Sequence, residues 1–284
     1  MFAITLSSFK EAIRKKIIII IGSMTILYLV LFCILLNYVF GDLKKTNPGN
    51  IGIIENASGI VSILGFYFSS MIVAFVTIMA SVGAIASDIE SGIINAVISK
   101  PIKRMEYVLG KYLGIAVMTV GYSSFLYVFL VVINVVLNIP PLNIITTVDF
   151  LKGLALFCFE PLALLSLCIF GSVCWKTMNN GVIIIGVYIL GMVGGMMEQI
   201  GSVVKLDGLV KWGIVISFFS PFESIYRKMI SVIYSSVNII GSSIAGPFFM
   251  SRNTPSIWMM VYALAFWVAF VLLAVRKFNS KDIS

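Results

Sequence analysis

DIESGIINAVISKPIKRMEYVLGKYLG, residues 88–114, is a charge-dotted interruption between two apolar runs. The runs beside it, residues 60–86 and 112–137, are long enough to cross a bilayer, which takes about 20 mostly apolar residues in a helix. Lipid offers a bare backbone no hydrogen-bond partner, so such runs are helices. The interruption is therefore a water-facing connection between membrane spans. Outward from it, residues 17–40, 154–175, 181–197 and 256–275 meet the same criterion. The expected fold is all-α and integral to a membrane, a single domain over 1–284 with six transmembrane helices.

Composition excludes the main alternatives. The chain is 60% hydrophobic and 11% charged, with mean hydropathy +1.08, whereas soluble domains carry about 25% charged residues. The net charge of +8 sits mainly at the ends of apolar runs, where it orients spans. No basic stripe with interleaved aromatics appears, so nucleic acid is not an expected partner. With no histidine, His-based triads and H-E-x-x-H metal chemistry are absent. Cys33, Cys158, Cys168 and Cys174 all lie in apolar runs without a C-x-x-C pair, so they are read as packing groups, with no metal site and no disulfide.

Cations set the orientation. With a cytoplasmic N-terminus, the inner side holds Lys10, Arg14, Lys15, Lys16, Lys100, Lys103, Arg104, Lys111, Lys176, Arg276, Lys277 and Lys281. The short outer loops hold only Lys44, Lys45 and Lys152. Both termini are thus expected in the cytoplasm, in the cell membrane. Residues 198–255 contain an apolar stretch too short to span and another diluted by serines and Pro247, and read as an external or re-entrant pair of helices. In residues 1–16, Phe2, Leu6, Phe9 and Ile13 share a helical face that Lys10 and Arg14 avoid, the pattern of an interfacial helix resting on lipid.

Within the opening stretch and just before it, Ser87-Asp88-Ile89-Glu90 has the S-x-x-E spacing of a capping box. Ile89, Ile93 and Val97, flanked by Ile94 and Ile98, form an apolar stripe, and Pro101 ends it. A short amphipathic helix of this kind either lies on the membrane surface or docks on a partner protein.

Here the chain resembles the ABC-2-type transporter permeases, the six-span membrane subunits of ABC exporters. After their second span these run acidic residue, Gly-Thr, an aliphatic pair, Pro-aliphatic-x-Arg, then Gly-Lys at the third span. This sequence supplies Glu90, Gly92, Val97-Ile98, Pro101-Ile102-Lys103-Arg104 and Gly110-Lys111, departing at Ile93 where the family often has Thr. The N-terminal amphipathic helix, a turn from Ser172 to Lys176 and an outer Ser220-Pro221-Phe222 stretch also fit. The resemblance implies that residues 87–111 form a coupling helix for an ATP-binding cassette subunit, with Glu90, Gly92, Ile94, Val97, Ile98, Pro101, Arg104 and Lys111 at the contact. It also implies a second permease protomer, identical or not. ATP and magnesium would be bound by the partner subunit, since Gly110-Lys111 lacks the rest of a phosphate-binding loop. The chain would then be no enzyme. A non-transporting membrane scaffold or immunity protein is the alternative, and an integral-membrane enzyme has less support still.

Several residues carry two readings. Gly191-x-x-x-Gly195 serves either a dimer interface or packing within the chain. Ser62, Ser69 or Ser70, Thr77 and Ser81 either line a substrate path or let helices approach. Glu160, inside an apolar run, is a functional candidate with Lys152 as a possible partner, or a paired structural group. Glu223 and Arg227, four apart, read as an ordinary helix pair.

Overall fold

The computed structural model describes residues 4–9, 17–46, 51–94, 103–137, 146–234 and 255–281. Apart from short connections these are helical, with no strand among the described residues. A helical segment at 4–9 precedes α1 (Ile17–Thr46), α2 (Ile51–Ser81), α3 (Ala86–Glu90), α4 (Arg104–Val136), α5 (Thr147–Cys174), α6 (Thr177–Val204), α7 (Asp207–Phe219), α8 (Phe222–Ile233) and α9 (Ile257–Asn279). Six are long and apolar enough to cross a membrane: α1, α2 continued by α3, α4, α5, α6 and α9.

The helices outrun their apolar cores, because backbone pairing continues past the lipid boundary. α4 begins at Arg104, ahead of the apolar run at 112, which takes Gly110 and Lys111 into the helix. α6, expected to be the shortest span, is a helix of 28 residues, about 42 Å at 1.5 Å per residue. Its far end turns back through Lys205, in the left-handed region at φ 58°, so that Leu206 N–H bonds Gly201 C=O and α7 runs alongside α6.

Lipid gives helices no hydrophobic reason to associate, so close packing must hold them. One cluster joins Phe32 and Leu36 of α1, Ile63 and Phe66 of α2, Tyr127 and Leu130 of α4, Phe157 of α5, and Tyr226, Met229 and Ile233 of α8. A second gathers Ile85, Ile94, Tyr107, Ile115, Ile169, Val173 and Phe278 at the end of the bundle that holds α3. A third centres on Ala163, Leu164, Cys168, Ile184, Phe222, Ile225 and Phe266. At Gly114, a Cβ would lie 2.7 Å from Thr5 O and from Ser8 Cβ, so the absence of a side chain lets residues 4–9 seat on α4. Leu6 of that segment is exposed, while Phe2, Lys10, Ile13 and Arg14 lie outside the described residues.

The segment after α6 is not a surface appendage. Nearly every residue of α8 is buried, because each face has its own wall: Tyr226, Met229, Ile230 and Ile233 enter one cluster and Phe222 and Ile225 another. Glu223 and Arg227 turn toward α6. Tyr226 donates to Ile63 O at 3.1 Å, tying α8 to α2. α8 thus sits inside the bundle, whereas α7 is mostly exposed, and residues 235–254 of the expected external or re-entrant segment lie outside the described residues.

Candidate functional site

The polar interruption is built around a break in the second span. α2 ends at Ser81, residues 82–85 turn, and α3 follows. The first N–H groups of a helix need acceptors, and Ser87 is not one of them. It lies within α3, and its hydroxyl donates to Gly83 O. The acceptor is Ser172 of α5, whose Oγ takes Ile85 N at 2.9 Å and Ala86 N at 2.8 Å. Asn180 of α6 adds a second tie, donating to Val82 O at 2.8 Å and Cys168 O at 3.1 Å.

Glu90, expected in a capping box, instead caps another helix. Its carboxylate accepts from Thr177 N at 2.9 Å and Thr177 Oγ1 at 3.2 Å, at the start of α6, where an anion meets the positive end of the helix dipole. Gly92 follows at φ +72°, a backbone that L side chains avoid, and reverses the chain. Ile93 beyond it is 54% exposed, whereas Ile94 is 1% exposed among Tyr107, Val108, Ile115, Val173 and Phe278. Ile94 is therefore a core residue of this chain, on the bundle side of the turn at Gly92. Val97, Ile98 and Pro101 lie outside the described residues.

Lys111 is also internal. Its Nζ lies 2.8 Å from Asp88 Oδ2, both groups are buried, and Tyr107 OH donates to the same Asp88 oxygen. Arg104 Nη1 donates to Asn279 O at 3.0 Å and Lys281 O at 2.9 Å, and Lys281 Nζ to Val173 O at 2.8 Å. Residues 85–94 and 104–111 thus join the ends of α2, α4, α5, α6 and α9. The sequence reading missed Ser172 as a cap, Asn180, Tyr107 and the Asp88–Lys111 pair; the visible signal was the Asn179-Asn180 amides and a lysine bordering apolar runs.

The other candidates resolve into packing. Ser69, Ser70, Thr77 and Ser81 are all buried within the chain, and Ser69 and Ser70 bond across helices. Thr77 and Ser81 bond back to Val73 O and Thr77 O, and Ser69 donates to Tyr28 OH. Glu160 is buried beside Pro161, and each carboxyl oxygen lies 2.8 Å from Ser70 Oγ. Its partner is Ser70, not Lys152, which stands on an exposed face of α5. Arg227 pairs with Glu198 of α6 at 2.6 Å, so the contact runs between helices and not to Glu223 one turn away.

Gly191 and Gly195 do not present a dimer face. A Cβ at Gly191 would strike Ser220 Oγ, and one at Gly195 would strike Glu223 Cγ. At Gly194 it would lie 2.6 Å from Ile216 Cγ2. The small-residue face of α6 is filled from within by α7 and α8.

Set against known proteins, residues 2–283 match the family model described as ABC-2 family transporter protein. No curated protein matches the chain. Six helices able to cross a membrane, a polar junction between the second and third, and a match over nearly the whole length agree: this multi-pass membrane protein belongs to the ABC-2 transporter family, as a permease-type transport subunit rather than an enzyme.

Proposed function

We propose that the chain is the membrane permease of an ATP-driven exporter and that residues 87–111 take the stroke of a separate ATP-binding cassette subunit. The observation that carries this reading is the convergence of one short segment on the ends of five helices through Ser172, Glu90–Thr177, Asp88–Lys111 and Arg104. A push on that segment reaches the fifth span through Glu90, the sixth through Arg104 and the fourth through Ser172. Tightly packed, satisfied contacts pass displacement on as rigid-body shifts instead of absorbing it.

The chain itself does no bond chemistry. ATP and magnesium are held by the partner, because this sequence has no phosphate-binding loop. A second permease protomer, identical or related, completes a pathway whose halves open alternately to the two sides. Both termini face the cytoplasm of the cell membrane, as the distribution of Lys and Arg supports.

The test is co-purification with ATPase activity. Ile93→Asp places a charge on an exposed apolar side chain of the junction without touching the core, and should release the ATP-binding subunit while the permease stays folded. Arg104→Glu, which abolishes donation to the C-terminal carbonyls, should keep the partner but weaken coupling. Full retention of partner and parental ATPase activity in both variants would remove the role given to residues 87–111.

A further inference from the structure

At the end of the bundle away from α3, a cavity of about 270 Å³ opens between α6, α7, α8 and the start of α9. Its polar wall holds Glu198, Ser217, Ser224 and Arg227. Arg227 and Ser217 are each 2% exposed, yet Arg227 Nε and Ser217 Oγ have no hydrogen-bond partner among the described residues. Buried polar groups are seldom left so. The acid here, Glu198, is already engaged by Arg227 Nη2 at 2.6 Å. What remains free is an N–H that only donates and a hydroxyl able to donate.

The start of α9 borders the same cavity through Ser256 and Trp258. The Ser256 hydroxyl accepts from Met259 N, and the first turn of this 23-residue helix turns its positive end to the space. The unsatisfied donors and the helix start together favour an anion beside a guanidinium whose charge Glu198 balances, and phosphate is a group that an arginine edge receives well.

The cavity does not end in water. Phe218 and Tyr262 are shared with an adjoining groove of about 380 Å³, whose other walls are Phe219, Phe266 and Phe270. Tyr262, Phe266 and Phe270 are four apart on one face of α9, giving about 12 Å of apolar wall at 1.5 Å per residue. Phe219 and Trp258, 73% and 81% exposed, stand at the mouth, as aromatic side chains do where headgroups meet hydrocarbon. A polar cradle that meets an aromatic groove at the Phe218–Tyr262 ring contact fits an amphiphile with one anionic head.

We propose that this is a binding site for a single phospholipid, with the headgroup phosphate at Arg227 Nε, Ser217 Oγ and the start of α9, and an acyl chain along Tyr262, Phe266 and Phe270. The site is independent of the ATP-coupled reading, and its test involves no ATPase.

The full chain, purified in mild detergent with any subunits that remain attached, is titrated with dioleoyl phosphatidylglycerol and read by native mass spectrometry. Dioleoylglycerol, with the same tails and no phosphate, and inorganic phosphate are the two control probes. The phospholipid should bind as one adduct, and each control at least about tenfold more weakly. Ser217→Ala should weaken phospholipid binding about tenfold, the scale of one hydrogen bond to a charged group. Its hydroxyl has no partner among the described residues, so the fold does not depend on it. Phe219→Ala, at an exposed position, should weaken the phospholipid as well. Arg227→Gln, if it folds, should abolish binding. Equal binding of dioleoylglycerol would leave only a greasy groove, and equal binding of inorganic phosphate only an anion site. Either result, parental binding by Ser217→Ala, or no adduct at all, overturns the proposal.

Discussion

Two buried ion pairs sit at opposite ends of this bundle, and they differ in how completely they are satisfied. Asp88–Lys111, at 2.8 Å, has Tyr107 donating to the same carboxylate oxygen, and Ser172, Glu90 and Arg104 complete the surrounding contacts. Glu198–Arg227, at 2.6 Å, leaves Arg227 Nε and Ser217 Oγ without partners among the described residues, beside a cavity. The first end closes its ion pair and, among the described residues, orphans an acceptor, Asn180 Oδ1, whereas the second leaves donors that a ligand can meet. The first end has the build of a clamp that moves as one piece, the second that of a receptor. Charge inside a membrane protein thus takes its meaning from what remains unpaired around it.

The sharpest way to break this contrast is to unpair the clamp. Asp88→Ala removes the carboxylate that faces Lys111 Nζ and Tyr107 OH, a loss of about 3–5 kcal/mol, and should lower the thermal midpoint in detergent or prevent folded protein from accumulating. Adding Lys111→Met should recover much of that loss, because an apolar pair of similar volume needs no counter-charge. If the double variant is as unstable as Asp88→Ala, the pair is not the source of the effect.

A smaller effect is expected where α6 meets α8. Gly195→Val drives a methyl group into Glu223 Cγ, and overpacking of this kind costs about 1–3 kcal/mol. The measurement is thermal stability together with oligomeric state. Destabilisation of the chain with its association unchanged supports packing within one protomer, and dissociation without destabilisation would restore the dimer reading.

A further effect is a slope with pH. Burial pushes the Glu223 carboxyl from its usual 4.5 up to about 7, with Arg227 drawing it down and Glu198 adding to the rise. Between those values the folded chain keeps a proton that the unfolded chain releases, so this group's contribution to stability is greatest at low pH and is lost as pH rises toward 7. Melting curves from pH 5 to pH 8 should show a downward slope that Glu223→Gln flattens. An unchanged slope in that variant would assign the effect to another group.

Much of this architecture was legible in the residues. The apolar runs marked the six crossings found among the described residues, while most of the serine-diluted stretch within 198–255 lies outside them. What could not be read were the partners across helices. A span that is apolar all round has no moment to say which face meets lipid, so nothing in Gly191 or Gly195 told α7 and α8 apart from a second protomer. Spacing placed Ser87 and Glu90 as mutual caps, but tertiary contact won: Ser172 serves the α3 backbone and Glu90 the start of α6. The apolar stripe from Ile89 was real as a pattern, yet the left-handed turn at Gly92 separates exposed Ile93 from buried Ile94. Lys111 read as a loop cation because the apolar run begins after it, and only the earlier start of α4 takes it inside.

Photo-crosslinking from position 93 in intact membranes decides whether an ATP-binding subunit presses on the junction around Glu90. A photoreactive residue replacing Ile93 should give a discrete crosslinked product, identified by mass spectrometry, whose second protein carries a G-x-x-x-x-G-K-[ST] phosphate-binding loop. The product should disappear when the neighbouring exposed contact is broken by Glu90→Lys. Crosslinks to lipid alone, or to no ATP-binding protein, would contradict the account and leave the junction as a brace between spans.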